Sequence, residues 1–364
     1  MLRHIIISDT HAPDQIRLIL EHVQQRVLKE SAVDAIVING DLLGVFSMQG
    51  SNKHKQEDIS REEKESYLQE AAPKWHKKHG MNTQLTVENV LEYAQERYKW
   101  VEKTLRETSK LATTIWNMGN HESPEHFLVL QELPFLLEQP MNFSVPDEQL
   151  QTIFYKHEQA LAVLELTNNF VYIRDKPYIQ EDTLIIGIPG ESHAAIGSSK
   201  PARKQEEQTL AVLKKASKKL PEVTNAIIYN HTQGSYDKNT STFMPASTAA
   251  KEFMNQTSNL QHLIWVQSHN HWSYTQHLHK ENTHYVLNNA GLHNAIYNLL
   301  ELDEELTIYD VDANKNTITK LQQSNQEITG GDALAIIKRN YPNYMDVYLH
   351  RKMRLDATKQ PRTS

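Results

Sequence analysis

Short segments that carry aspartate, asparagine and histidine recur along the chain, each directly after an apolar run. Carboxylate, amide and imidazole groups are the ligands with which proteins bind manganese, iron or zinc. Two such cations side by side can polarise a phosphate and make hydroxide from water near neutral pH. The segments therefore predict hydrolysis of phosphate esters. They are Asp9-Thr10-His11, Gly40-Asp41, Gly119-Asn120-His121-Glu122, Asn230-His231 and Ser268-His269-Asn270-His271.

A two-metal site needs one ligand shared by both cations, and only a carboxylate can bridge them while offsetting their charge. Asp41 suits this role, because Gly40 lets the chain turn tightly and leaves the carboxylate exposed at a strand end. Asp9 and His11 are two residues apart. In an extended segment both side chains point the same way, so we expect them to hold one ion together.

The other candidate ligands are neutral. Asn120 offers an amide oxygen and His231 an imidazole, while His269 and His271 repeat the two-residue spacing of the first pair. A single Asp-x-His or His-x-His is a weak signal, because most single histidines are not ligands. The set in this order is a strong signal, because each segment follows a predicted strand, and α/β sheets build their sites at the carboxyl ends of strands.

The apolar runs before these segments predict short buried strands in a sheet whose opening part is parallel. A helix from Pro13 to about Val27 makes the first strand–helix–strand unit. The runs 170–173 and 183–188 are predicted to pair with each other, and those at 285–287 and 298–312 to lie at sheet edges. The other predicted strands cover residues 5–7, 35–38, 112–118, 226–229 and 263–266.

The pattern of short predicted strands is interrupted between residues 46 and 111. Two helices are expected there, 57–79 and 87–111, joined by a turn at Gly80-Met81-Asn82. This helical hairpin leaves directly from the Asp41 loop, and it is either surface padding or a lid or partner-docking element. The catalytic domain would then span residues 1–330, and residues 331–364 would form a C-terminal helix and a polar tail.

The composition is that of a soluble protein with a sizeable core: 39% of the 364 residues are apolar and 23% are charged. The net charge of -7 gives no electrostatic reason to expect nucleic acid as a partner. The absence of cysteine excludes disulfides and thiolate zinc sites, and it fits a reducing compartment. The apolar start is too short for a signal peptide, and no apolar stretch reaches the length of a membrane span, so a cytoplasmic protein is expected.

These five segments, in this order, resemble the motifs of the calcineurin-like metallophosphoesterase superfamily. The resemblance runs from Asp9 to His271 and implies an α/β fold, a two-sheet sandwich flanked by helices. It implies two divalent metal ions, manganese first, with iron or zinc as alternatives. One ion would be held by Asp9, His11 and His271, the other by Asn120, His231 and His269, with Asp41 between them. By the same resemblance His121 is no ligand but the general acid that protonates the leaving oxygen.

The chain departs from the family pattern after Asp41. Many relatives have a second aspartate there, and the protein-phosphatase branch an arginine that grips phosphate, but this chain reads Leu42-Leu43-Gly44. What orients His121 and what clamps the substrate are therefore open, with Arg174 and Arg203 the nearest candidates for the clamp. Ser268 replaces the usual glycine of the last motif. Beyond it, His277 and His279 are expected on an exposed strand face rather than at a third metal.

The motifs leave the branch open, because Gly-Asn-His-Glu is typical of protein phosphatases and His-x-His of phosphodiesterases. The insertion after Asp41 and the Gln-, Asn- and Lys-rich composition are similar to the Wip group of Legionella effector phosphatases, which implies secretion into a host cell. The expected function is a phosphoprotein (Ser/Thr) phosphatase that uses metal-bound hydroxide on a phosphorylated protein or a small phosphate ester. The alternatives are a phosphodiesterase for cyclic nucleotides or nucleic acid, and a binding module on the same fold.

Overall fold

Two β-sheets packed face to face form the centre of the protein, and helices cover the outer face of each. The predicted two-sheet α/β sandwich is confirmed. The computed structural model describes residues 1–11, 13–44, 60–123, 129–190, 200–231, 235–237, 242–244, 248–268, 276–280, 282–287 and 295–322.

The first sheet has seven strands. They are β1 (Leu2–Ile7), β2 (Ala35–Asn39), β3 (Thr114–Asn117), β4 (Phe170–Tyr172), β13 (Ile296–Leu302), β14 (Leu306–Asp312) and β15 (Thr317–Lys320). Their order across the sheet is β15-β14-β13-β1-β2-β3-β4. The half from β1 to β4 is parallel, whereas β13 to β15 add antiparallel strands.

The second sheet has six strands. They are β5 (Tyr178–Gln180), β6 (Thr183–Ile188), β7 (Asn225–Asn230), β10 (His262–Gln267), β11 (Gln276–Lys280) and β12 (Thr283–Leu287). Their order is β11-β12-β10-β7-β6-β5, and the four central strands are parallel. A separate two-stranded ribbon consists of β8 (Ser235–Asp237) and β9 (Thr242–Met244).

The helices are α1 (Pro13–His22), α2 (Leu28–Glu30), α3 (Arg61–Ala71), α4 (Pro73–His79), α5 (Val87–Thr108), α6 (Val129–Leu137), α7 (Asp147–Thr167), α8 (Lys200–Ser217) and α9 (Thr248–Met254). A π-helical turn, Val23–Val27, joins α1 to α2, and a 3-10 turn covers Leu220–Glu222. Among the described helices, none is both long and apolar enough to cross a membrane.

Strand alternation divides the core into three layers. On β1, Ile5 and Ile7 face α1, α5 and α7, whereas Ile6 lies between the two sheets. On the other side of the second sheet, residues such as Ile228 and Trp265 pack against α8 and α9. Because successive side chains of a strand point to opposite faces, these continuous apolar runs are what a sheet covered on both sides requires.

Two predictions about strand arrangement are wrong. The run 170–173 does not pair with 183–188, because β4 pairs with β3 in the first sheet and β6 with β5 and β7 in the second. The strands expected at edges also lie inside, since β12 sits between β10 and β11 and β13 between β14 and β1. The chain crosses from one sheet to the other between β4 and β5, and local sequence does not encode that crossing.

The described part of the insertion between β2 and β3, residues 60–111, is mainly helical, and the stretch before Gly80 contains two helices rather than the one predicted. Ala72 leaves the helical conformation (φ -146°), and Pro73 starts α4. A residue before proline is disfavoured in the α region, so this break was readable from the sequence. Gly80 ends α4 with a positive φ of 69°, at the turn predicted there. Residues 46–59 and the predicted C-terminal helix and tail lie outside the described residues.

Candidate metal centre

Four parallel strands of the two sheets end at one place, and each delivers candidate site residues there. Strand β1 leads to Asp9 and His11, β2 to Asp41, β3 to Asn120 and His121, and β7 to His231. All six side chains are buried, none more than 2% exposed. The loops are tied together by backbone bonds, from Asp9 N to the Gly40 carbonyl (3.1 Å) and from His11 N to the Asp41 carbonyl (3.1 Å).

The backbone of this region is unusual. Asp9, His11 and Asp41 all have left-handed conformations, with φ of 49°, 49° and 55°. The expectation that Asp9 and His11 belong to an extended segment is therefore wrong, and the turn between them is tight. Non-glycine residues in this region cost energy, and such residues concentrate at functional sites because the surrounding structure holds them.

Asp41 is the centre of the cluster. Its Oδ2 lies 2.9 Å from His231 Nε2, 3.7 Å from His121 Nε2 and 3.8 Å from His11 Nε2. Its Oδ1 accepts a hydrogen bond from the backbone N–H of His121 at 3.1 Å. One buried carboxylate thus faces three imidazoles.

The side chains form two overlapping groups, each with ligand atoms within 4.8 Å of one another. One contains His11, Asp41 and His121, and the other contains Asp9, Asp41 and His231. Asp41 belongs to both groups, which is the position expected of a residue shared by two cations.

Two glycines make this close approach possible. A Cβ on Gly119 would lie 2.1 Å from Asp41 Oδ1, and a Cβ on Gly40 would lie 2.5 Å from His231 Nδ1 and 2.6 Å from the Gly119 Cα. Any side chain at either position would therefore displace the carboxylate or the imidazole. The glycines of the Gly-Asp and Gly-Asn-His-Glu segments are steric requirements of the site.

Hydrogen bonds fix the tautomers of two imidazoles. His231 Nδ1 donates to the Asn39 carbonyl at 2.6 Å, and His11 Nδ1 donates to the Leu43 carbonyl at 2.9 Å. Each ring therefore directs Nε2 towards Asp41, and when the ring is neutral that atom carries the lone pair. Metal-binding histidines are oriented in this way by a backbone carbonyl behind the ring.

The buried carboxylates of the cluster favour a positive charge beside them. Burial alone would lower the pKa of His231, but the Asp41 carboxylate more than offsets it and raises this pKa to about 10. Burial lowers the pKa of His11 despite its attraction to Asp41. Without a cation, Asp41 draws a proton onto His231. Divalent ions would supply that charge instead, so the donor set and its field fit the predicted metals.

Glu122 is a buried residue beside the cluster, and the sequence analysis assigned it no role of its own. It is fully buried and accepts hydrogen bonds from the backbone N–H groups of Asp41 (3.0 Å), Leu43 (2.8 Å) and Gly119 (2.9 Å). Burial, and then repulsion from Asp41, raise the pKa of its carboxyl to about 7. It joins the loops after β2 and β3. The signal was its position as the last residue of the Gly-Asn-His-Glu segment.

A second set of buried amides joins the two sheets behind the site. Asn117 Nδ2 donates to Asn39 Oδ1 at 2.7 Å, and Asn39 Nδ2 donates to Ser268 Oγ at 2.7 Å. Ser268 Oγ also lies 3.3 Å from His231 Nδ1. The serine that replaces the usual glycine of the last motif thus contributes a hydroxyl to the support of His231.

The other predicted site residues lie elsewhere or outside the description. His269 and His271 are outside the described residues, as is the side chain of Arg203. Arg174 forms an ion pair with Glu158 on α7 and stacks over Phe154. The expectation of an exposed strand face for His277 is wrong, because it is 3% exposed and hydrogen-bonded to His284 at 3.0 Å.

The family model of the calcineurin-like phosphoesterases matches residues 2–287. No curated protein matches the sequence.

The solved structures to which the chain shows some similarity include a Staphylococcus aureus 5'-nucleotidase (12% identity, TM-score 0.38, covering 91% of this chain and 56% of that one). Another is GAP50, the anchor in the inner membrane complex of Plasmodium (10% identity, TM-score 0.41, covering 92% of this chain and 93% of that one). A third is the sulfate thiohydrolase SoxB of Thermus thermophilus (7% identity, TM-score 0.37, covering 91% of this chain and 46% of that one). At these identities and TM-scores, the likenesses carry no argument about activity. The family match covers most of the chain, and the chain belongs to the calcineurin-like phosphoesterase family.

Proposed function

We propose that the protein is a two-metal phosphomonoesterase whose substrates are phosphoserine or phosphothreonine in proteins. Its family is one of metal-dependent phosphoester hydrolases. The observation that carries the proposal is the position of Asp41, which belongs to both ligand groups and faces three imidazoles.

In this proposal Asp41 would be shared by two divalent ions, manganese in the first instance and iron or zinc as alternatives. Asp9, His11 and His271 would hold one ion, and Asn120, His231 and His269 would hold the other. When bound, the pair supplies Lewis acidity towards phosphate oxygens and lowers the pKa of water. The bonds from His231 to the Asn39 carbonyl and from His11 to the Leu43 carbonyl support these roles, because they present Nε2 as the donor atom.

His121 acts as the proton donor to the leaving oxygen. Its backbone N–H is fixed by Asp41 Oδ1 (3.1 Å), and its ring lies edge-on to His11 with centroids 4.5 Å apart. An imidazole is suited to general-acid catalysis near neutral pH. The same ring also lies in a ligand group with His11 and Asp41, so a ligand role is the competing assignment. Metal content of His121→Asn separates the two assignments.

The substrate class is tested by comparing para-nitrophenyl phosphate with its bis-ester in the presence of manganese, zinc or iron. The proposal predicts faster turnover of the monoester. A phosphopeptide panel assayed beside a cyclic-nucleotide panel then decides between protein phosphatase and phosphodiesterase. Faster turnover of the bis-ester and of cyclic nucleotides would establish the phosphodiesterase alternative.

A binding module on the same fold is the alternative from another class. It predicts that the fully metallated protein turns over neither ester and that His121→Asn changes no measurable property of phosphate binding. The convergence of carboxylate, amide and imidazole side chains in one buried cluster argues against it, because a site that only binds phosphate does not require this combination.

Membership of the Wip group of effector phosphatases is the finer proposal about lineage. The helical insertion directly after the Asp41 loop supports it. It implies action inside a host cell after secretion, in a reducing cytoplasm that the cysteine-free sequence suits. The insertion would then serve as a lid or as a docking element for the phosphoprotein. Preference for phosphopeptides that is lost when exposed residues of α3 and α4 are replaced would support the docking role.

A further inference from the structure

We infer that the helical insertion is a positioning element of the catalytic site, acting on His121 through the Gly44 peptide. Arg97, Glu132 and Tyr67 form a buried polar network that fixes this peptide against the His121 ring. The inference rests on the proposed function, because it explains how the proton donor is oriented in a chain without the second aspartate of many relatives.

Both polar atoms of Gly44 are held by side chains from outside its own loop. Its N–H donates to Glu132 Oε2 on α6 at 3.2 Å, and its carbonyl accepts from the Tyr67 hydroxyl on α3 at 3.2 Å. Gly44 has a φ of 107°, a conformation that favours glycine. The two peptide groups that flank the Gly44 Cα are therefore each held by a different helix, and together they fix the position of that Cα.

The other side of Gly44 touches the site. A Cβ on Gly44 would lie 2.4 Å from His121 Nδ1 and 3.0 Å from His11 Nδ1. The Cα is thus in direct contact with the edge of the His121 ring. A shift of this peptide by a few tenths of an ångström would be transmitted to the imidazole, since closely packed interiors transmit displacement.

The anchor of the network is a buried ion pair between α5 and α6. Arg97 is 0% and Glu132 3% exposed, and Arg97 Nε donates to Glu132 Oε1 at 2.9 Å. Arg97 Nη2 also donates to the Tyr67 oxygen at 2.8 Å, and the Tyr93 hydroxyl donates to Glu132. Glu132 Oε1 thus accepts from Arg97 and Tyr93 and lies 3.2 Å from the Tyr67 hydroxyl, while Oε2 accepts from the Gly44 N–H.

Burying such a pair is expensive, and an apolar contact of the same volume would hold the helices together at least as well. A buried ion pair is better explained by a requirement for a fixed geometry. Tyr67 on α3 and Glu132 on α6 both bind Gly44, and Arg97 on α5 binds Tyr67 and Glu132. We therefore assign them as positioning residues for His121.

Tyr67→Phe is the sharpest test, because it keeps the ring and removes only the hydroxyl, through which Gly44 is connected to Arg97 and Glu132. We expect kcat to fall about tenfold, the scale on which small misplacements of catalytic groups act, with KM and metal content unchanged. The limb of the pH–rate profile assigned to the proton donor should move. Glu132→Gln should have a larger effect, and its melting temperature shows whether it remains folded.

The matched control is Glu138→Gln. Glu138 forms an ion pair with Lys64 at 2.6 Å, which also joins α3 to the end of α6 but does not touch Gly44. It should leave kcat and the pH profile as in the wild type. If Glu138→Gln and Tyr67→Phe lost kcat equally, the network would only stabilise the insertion, and the inference would be overturned.

A second readout does not depend on turnover. In metal-free protein labelled with 15N-histidine, the His121 signal is identified by its loss in His121→Asn. Tyr67→Phe should shift that signal, and Glu138→Gln should not. If the wild type hydrolyses no phosphate ester, the proposed function fails, yet this shift still tests the positioning. An unchanged His121 signal in Tyr67→Phe contradicts the inference even if the enzyme is active.

Discussion

The folded protein should lose stability in acid because of His4, which is not one of the proposed metal ligands. His4 is fully buried between the two sheets, where it contacts the Tyr229 hydroxyl (2.7 Å) and Gln180 Oε1 (3.0 Å). Burial lowers its pKa from 6.5 to about 4. An unfolded chain, with the ordinary pKa, takes up a proton below pH 6.5, whereas the folded chain does so only near pH 4.

The stability contributed by neutral His4 is therefore complete above pH 6.5 and is lost as the pH falls to about 4. A pKa difference of one between the folded and unfolded states corresponds to about 1.4 kcal/mol, so the loss is on the order of 3 kcal/mol. Urea denaturation of wild type and His4→Gln between pH 8 and pH 4 measures it. The wild-type free energy of unfolding should fall by about 3 kcal/mol more than that of the variant, because glutamine does not titrate.

Tyr229→Phe is the control for this measurement. It removes the hydrogen bond to His4 but leaves the ring buried, so it should lower stability at every pH and keep the wild-type dependence on pH. A difference between wild type and His4→Gln that stays constant from pH 8 to pH 4 would refute the reasoning, because His4 would then titrate alike in both states.

Three further predictions concern the site. Asp41→Asn should abolish metal loading and activity together, measured by elemental analysis and ester hydrolysis, because an amide cannot offset the charge of two cations; retained loading would contradict the bridging role. His121→Asn should lose about 100-fold or more in kcat while keeping both metals, and near-normal turnover would remove the proton-donor assignment. Gly119→Ala should lower metal affinity at least tenfold, because its Cβ would lie 2.1 Å from Asp41 Oδ1; unchanged affinity in a metal titration would show that the loop yields without moving the carboxylate.

Much of the site could be predicted because its residues are of metal-binding types and each follows directly after a predicted strand. Asp41, Asn120 and His231 each follow a short apolar run, and parallel strands bring such carboxyl ends together. The short buried strands follow from the same runs, and the two-sheet arrangement follows from the family resemblance. Local sequence is enough where chemistry requires one residue type at the end of one strand.

The parts that were missed depend on tertiary contacts. Nothing local distinguishes β4 and β6 as members of different sheets, because the turn between them is compatible with a hairpin. His277 is polar and alternates with His279, but the packing of β11 against the core decides which strand face is buried. The network on Gly44 joins residues up to 88 positions apart, so only the folded chain reveals it.

The central claim is that Asp41 bridges two metal ions, and anomalous scattering from crystals grown with manganese tests it most directly. Two peaks on either side of the Asp41 carboxylate, one beside His11 and the other beside His231, are the predicted result. A single peak, or two peaks that do not share Asp41, would contradict the account.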